Sequence, residues 1–113
     1  SLGRTAKTQQ AKIAYEQAKT ELKETEQTLL LEYQNTKSDY EYSIEQYSFS
    51  KENLRLSERI EKKQQVKFKE GLSSSFEYTE AQRQLYSAQQ TYLQAMIDVI
   101  NKKTALDKIT NNK

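Results

Sequence analysis

Residues 68–82 read F-K-E-G-L-S-S-S-F-E-Y-T-E-A-Q. It holds one of only two glycines in a 113-residue chain without proline. Three serines follow that glycine, and the sequence on either side has the character of uninterrupted helix. Gly71 can take the left-handed backbone that ends a helix after Glu70. Ser74 can cap the next helix, with Glu77 three residues on completing an S-x-x-E capping box. Lys62, Lys63, Lys67 and Lys69 crowd the end of the first helix, while Glu77 and Glu80 open the second, and both placements suit the helix dipoles. The stretch reads as a reversal between two helices.

Working outward, residues 5–69 lack proline and glycine and are rich in Glu, Lys, Gln, Ala and Leu, which favour helix. From Tyr33 the apolar residues follow a heptad. Tyr33, Tyr40, Tyr47, Leu54 and Phe68 fall on one series broken only by Glu61, and Thr36, Ser43, Ser50, Ser57 and Gln64 form a companion series of mostly small residues. The segment after the reversal repeats the scheme, with Leu85, Tyr92, Val99 and Leu106 as the large series and Ala81, Ala88 and Ala95 as the small one. Small layers let two helices approach closely, and large ones fill the space between.

In an antiparallel pair, facing residues have numbers of constant sum. Leu54 with Tyr92, Tyr47 with Val99 and Tyr40 with Leu106 share one such sum; Ser57 with Ala88 and Ser50 with Ala95 share a sum one unit lower. The turn implied by that sum falls near residue 73, inside the quoted stretch. The expected fold is all-α: a long antiparallel two-helix coiled-coil hairpin, with a first helix over about 5–69, a turn at 71–74 and a second helix over about 75–110. Tyr40, Tyr47, Leu54, Phe68, Leu85, Tyr92, Val99 and Leu106 are its seam.

The arms are unequal. At 1.5 Å per residue the first would run about 98 Å and the second about 54 Å, so residues 5–32 have no facing helix. They still carry an apolar stripe of Ala11, Ala18, Leu22, Thr25 and Leu29, with Leu30 and Leu31 beside it. Isolated helices need packing to persist, so this end is expected to dock elsewhere or to drive self-association of the chain. Tyr42, Phe49 and Leu56 form another stripe off the seam, which implies a further neighbour.

Composition narrows the function. Hydrophobic residues make up 35% and charged residues 30%, and the mean hydropathy is −1.03. That would suit a disordered chain, were it not for eight tyrosines, three phenylalanines and the strict apolar spacing. The 18 basic and 16 acidic residues are interleaved, unlike the basic stripe of a nucleic-acid binder. With no cysteine and no histidine, thiol chemistry, zinc sites and histidine catalysis are excluded. Ser73 to Ser75 have no lysine at S-x-x-K spacing to activate them. Glu77 and Glu80, one turn apart, would hold a metal ion only weakly. No catalytic, cofactor or metal site is expected. The tyrosine heptad reads as core, not as a stacking platform for bases. No apolar run approaches the length of a membrane span.

The run V-K-F-K-E-G-L-S-S-S-F-E-Y-T-E-A-Q-R-Q-L-Y-S-A-Q-Q-T-Y-L-Q-A, Val66 to Ala95, resembles the periplasmic tip of the TolC-like outer-membrane efflux family. Phe68, Gly71, Leu72, Glu77, Ala81 and Ala88 occupy the places of that pattern's aromatic residue, Gly-Leu turn, acidic residue and alanine-rich returning helix. The opening L-G-R-T-A-K-T-Q-Q-A-K, Leu2 to Lys12, is similar to the segment after the last membrane strand of the family's second repeat. The resemblance implies that residues 1–113 are the helical hairpin of a larger trimeric channel, in the outer membrane of a Gram-negative bacterium, with this segment periplasmic. It implies a tunnel-wall role and a partnership with an adaptor (membrane fusion) protein and, through the parent, an inner-membrane pump.

Gly71, Leu72, Ser73, Ser74 and Ser75 would be the adaptor-docking turn. Glu77 and Glu80 match acidic positions near the tunnel's inner entrance, although family members more often carry aspartate at the first. Opening would require neighbouring hairpins to slide or unwind, which a tyrosine-and-serine seam permits more readily than an all-leucine one; leucine at Ser50 and Ser57 is expected to stiffen it. Two other readings remain: the coiled-coil hairpin of the adaptor itself, and a cytoplasmic coiled-coil scaffold.

Overall fold

The structure, a computed structural model, describes residues 1–111. It contains two helices, α1 (Leu2–Lys69) and α2 (Ser75–Thr110), and no strand among the described residues. The all-α fold expected from the heptads is the fold observed. Helix α1 begins three residues earlier than expected. Ser1 acts as its cap, accepting the Arg4 N–H at 3.3 Å through Oγ and the Thr5 N–H at 3.2 Å through its carbonyl.

The chain divides into two compact units, one comprising Ser1–Asn35 and the other beginning at Thr36. The first is a single helical stretch. All of its residues are exposed except Tyr33, which is half-buried; Ile13, Tyr15, Leu22, Leu29, Leu30 and Leu31 all face outward. The second is the hairpin.

In the hairpin the burial is inverted relative to the usual picture of a coiled coil. The fully buried residues are Ser43, Ser50, Ala81, Ala88 and Ala95, all small, and no large side chain is fully buried among the described residues. Tyr40, Tyr47, Leu54, Leu85, Tyr92, Val99 and Leu106 are half-buried, and Phe68 is 41% exposed. The expectation that the tyrosine heptad forms a core therefore needs correcting. The physical reason is that two helices have only one contact line. The small series occupies it and lets the backbones approach, so the large residues straddle the line and remain open to one side.

The buried serines do not need partners across the seam. Ser43 Oγ donates to the Tyr40 carbonyl at 2.6 Å, and Ser50 Oγ donates to the Tyr47 carbonyl at 2.8 Å. No buried side-chain nitrogen or oxygen lacks a partner among the described residues. The large residues connect diagonally. The rings of Tyr47 and Tyr92 stack with centroids 5.4 Å apart, and their hydroxyls lie 3.1 Å apart. By the heptad arithmetic these two tyrosines belong to successive layers, with the Ser50–Ala95 layer between them. Because that layer is small, both rings can lie over it and meet, a contact of roughly 0.5–1.5 kcal/mol beyond the area it covers.

Glu61, which interrupts the large series, accepts a hydrogen bond from the Tyr78 hydroxyl at 3.3 Å. The apparent break in the heptad is thus a polar link between the helices.

Candidate functional site

Helix α1 ends in a reversal closed by backbone hydrogen bonds. The Gly71 N–H donates to the Phe68 carbonyl at 3.1 Å and the Leu72 N–H to the Lys67 carbonyl at 2.8 Å. This pair of bonds is a Schellman motif, and it requires the residue after the cap to be left-handed. Gly71 has φ 75° and is the one positive-φ residue among those described. A Cβ placed there would meet nothing within 4 Å. Glycine is needed for its backbone freedom, not for space.

Four residues after Gly71, α2 begins at Ser75. Ser74 is its N-cap, with extended backbone (φ −75°, ψ 159°) and Oγ accepting the Glu77 N–H at 3.1 Å. The other half of the expected capping box differs. The Glu77 carboxylate takes its hydrogen bond from the Ser73 hydroxyl, at 2.8 Å, instead of reaching back to the cap residue's own N–H. Ser73 Oγ also lies 2.8 Å from Gln64 Oε1. A hydroxyl has one hydrogen, so both contacts are satisfied together when the Gln64 amide is turned over, its NH2 donating to Ser73 Oγ while Ser73 donates to Glu77. The outcome is a polar chain, Gln64–Ser73–Glu77, from the last turns of α1 through the loop to the first turn of α2. The preceding hydroxyl intercepts the carboxylate because it is already held in place from α1.

Beneath this chain the Phe68 and Tyr78 rings stack at 5.4 Å. Glu80 is half-buried and ion-paired with Arg83. Glu77 and Glu80 are thus both engaged with neighbours of their own: one with the loop, one with its helix. Among the described residues no cluster of three or more potential ligands could hold a metal ion.

At the reversal two apolar side chains are largely exposed, Phe76 at the rim of a shallow pocket shared with Ile60 and Gln64. Leu72 is 73% exposed and Phe76 is 76% exposed. Leu72 was part of the turn expected to dock a partner; Phe76 was not singled out by the sequence reading. The signal for it was available, since residue 76 falls on neither heptad series of α2 and so has no seam to enter. Gly71, Ser74, Ser75 and Glu77 are exposed beside them, and Ser73 is half-buried. The surroundings carry both signs, with Lys62, Lys63, Lys67 and Lys69 interspersed with Glu61, Glu70, Glu77 and Glu80. The three ion pairs among the described residues, Arg55–Glu52, Arg83–Glu80 and Lys103–Asp107, do not involve Lys62, Lys63, Lys67 or Lys69.

The long faces of the hairpin are unlike one another. Asp39, Tyr42, Gln46, Asp98 and Lys102 line a shallow groove of mixed character between the helices, and Asn53, Gln84, Ser87 and Thr91 line a polar one nearer the tip. Apolar residues remain uncovered on both helices: Tyr42, at the first groove, with Phe49 and Leu56 on α1, and a second heptad stripe, Tyr86, Leu93 and Ile100, on α2. The sequence reading identified the first stripe and missed the second. No helix among the described residues is long and apolar enough to cross a membrane.

An all-helical hairpin with a rigid, uncovered tip and uncovered apolar stripes is a component built to pack against other chains or segments. Comparison with protein families shows which kind. The family model described as outer membrane efflux protein matches residues 2–112, and the chain belongs to that family. It is a family of outer-membrane transport channels in Gram-negative bacteria and not of enzymes. Comparisons with curated proteins and with solved structures gave no match.

Proposed function

We propose that this chain is a periplasmic hairpin of a trimeric outer-membrane efflux or type I secretion channel, forming part of the tunnel wall and docking an adaptor protein at its tip. The observation that carries the reading is the tip itself. Leu72 and Phe76 stand exposed on a reversal whose Schellman bonds and N-cap make no use of their side chains. Apolar side chains presented on a rigid, pre-formed turn lose little conformational freedom on binding. They match the pattern of a small anchor set at the centre of an interface. The unpaired lysines around them offer complementarity to an acidic partner rim.

The rest of the hairpin supports a place in a wall. The polar groove of Asn53, Gln84, Ser87 and Thr91 suits an aqueous side, and the Tyr42–Phe49–Leu56 and Tyr86–Leu93–Ile100 stripes suit contact with neighbouring staves. The family match sets this reading above an adaptor hairpin or a cytoplasmic scaffold.

The test is a Leu72→Glu, Phe76→Glu double variant in the full-length channel. The variant is expected to assemble as a heat-sensitive trimer in the outer membrane but to lose adaptor co-purification and transport. Undiminished adaptor binding by such a trimer would remove the docking role from the tip.

A further inference from the structure

We propose that Tyr47 and Tyr92 form an oxidative cross-linking site, at which a peroxide-driven one-electron oxidant joins the two rings covalently and fixes the register of α1 on α2. The inference rests on the hairpin alone and does not depend on the channel reading.

The first observation is a contact. Of the eight tyrosines, Tyr47 and Tyr92 are the one tyrosine pair with stacked rings among the described residues. Their centroids lie 5.4 Å apart, their planes are 24° apart and their hydroxyls are 3.1 Å apart. The separation thus narrows from the ring centres towards the hydroxyls. The ring carbons beside each hydroxyl lie towards that narrower end, and they carry unpaired spin when a phenol loses an electron. The carbon opposite the hydroxyl shares that spin but is blocked by the side-chain stem. Both tyrosines are half-buried and sit over the closely packed Ser50–Ala95 layer. They are open to a small oxidant on one side and held together on the other.

The second observation is composition. The chain has no cysteine, tryptophan or histidine, so tyrosine is the side chain that yields a single electron. Met96, the one methionine, reacts with peroxide along a separate path and gains an oxygen atom. Tyr15, Tyr42 and Tyr86 are exposed, and their coupling depends on collision with another molecule. Tyr47 and Tyr92 are already together, and such proximity turns a two-body step into an internal one.

The electron balance closes with hydrogen peroxide as the terminal oxidant. Each phenol gives up one electron and one proton, so the pair reduces one peroxide to two waters. The two phenoxyl radicals then share their odd electrons in a bond between the carbons beside the hydroxyls. The hydrogen on each of those carbons moves to its own ring's oxygen, which restores both phenols and both aromatic rings. The product is a biphenol lacking two hydrogens of the starting pair. Ser43 and Ser50 bond only within α1, so the small layers set no register of their own; a covalent tie between the rings fixes one.

The test treats the folded chain, at low micromolar concentration, with hydrogen peroxide and a haem peroxidase. The expected product is a monomer with dityrosine fluorescence, lighter by two hydrogens, in which tryptic peptides 38–51 and 84–102 are joined and the urea midpoint is raised. Tyr47→Phe and Tyr92→Phe, which keep the rings, should each abolish it. Tyr42→Phe and Tyr86→Phe, which alter other tyrosines of the same two peptides, should leave it unchanged. Oxidation of the urea-unfolded chain should scatter the coupling over other tyrosines. A monomeric product that survives Tyr47→Phe, cross-links confined to dimers, or the same two peptides joined equally well in the unfolded chain would each overturn the proposal.

Discussion

Leucine at Ser50 separates two pictures of the seam, because they differ in sign. If the heptad alone governed, Ser50→Leu would add a large apolar residue to a contact stripe and stabilise the hairpin by about 1.5–3 kcal/mol through burial. In the structure Ser50 is 6% exposed, its layer partner Ala95 is 7% exposed, and the Tyr47 and Tyr92 rings close over that layer. There is no volume to receive the side chain. Accommodation requires the helices to separate, which breaks the ring stack and uncovers neighbouring layers, so overpacking costs about 1–3 kcal/mol net. The lost Ser50 hydroxyl bond to the Tyr47 carbonyl adds little, because that carbonyl lies within α1 and keeps its helical partner.

The expected change is destabilisation, not stiffening, with the melting temperature falling by roughly 4–8 °C per kcal/mol. Thermal and urea unfolding followed by circular dichroism, at one fixed protein concentration, would measure it. Ser48→Leu, two residues away and exposed, carries the same gain in helix propensity and should stay within about 0.5 kcal/mol of wild type. A Ser50→Leu chain more stable than Ser48→Leu would refute the close-approach account.

Two further outcomes follow from the geometry. Gly71→Ala meets no steric obstacle but forces a left-handed backbone on a residue with a Cβ, costing about 1–2 kcal/mol; Gly71→Asn should lose less, and urea midpoints would rank the three. The hydrogen bond with Tyr47, reinforced by burial, raises the Tyr92 phenol above its ordinary value of 10.0. A group whose folded-state pKa is raised contributes stability that is complete below its unfolded pKa and disappears as pH rises through the folded one. The hairpin should therefore weaken above about pH 10, and Tyr47→Phe, which keeps the ring, should weaken less steeply in urea titrations across that range.

The helix boundaries and the reversal were legible because they depend on local chemistry. Gly71 and Ser74 carry backbone requirements that few residues meet, and the heptads of Tyr40–Tyr47–Leu54 and Ala81–Ala88–Ala95 report one shared face. What was not legible depends on the distance between helices. A heptad marks which residues face the partner but not which of them reach the contact line. Burial of Ser50 with only half-burial of Tyr47 therefore emerges only when the backbones are placed. The Ser73–Glu77 bond was hidden for a similar reason. Capping rules describe one helix end, whereas Ser73 is positioned by Gln64 from the other helix. Phe76 escaped notice because a seam-seeking reading passes over residues that belong to no seam.

The self-contained serines give the hairpin the character of a vernier. Ser43 and Ser50 bond only to their own helix, so the small layers carry no information about which layer they face. A slide of one heptad, about 10 Å, would set serine on alanine again over much of the seam. Side-chain links between the helices, Tyr47–Tyr92, Tyr78–Glu61, the Phe68–Tyr78 stack and Lys103 over the Tyr40 ring, mark the correct tooth, but each is a modest interaction. The remaining index is the reversal, since the few residues between Lys69 and Ser75 must absorb any displacement of one helix past the other. Whatever grips Leu72 and Phe76 therefore grips the index mark of the whole scale, and loosening the Schellman turn would free a slide that the seam itself scarcely resists.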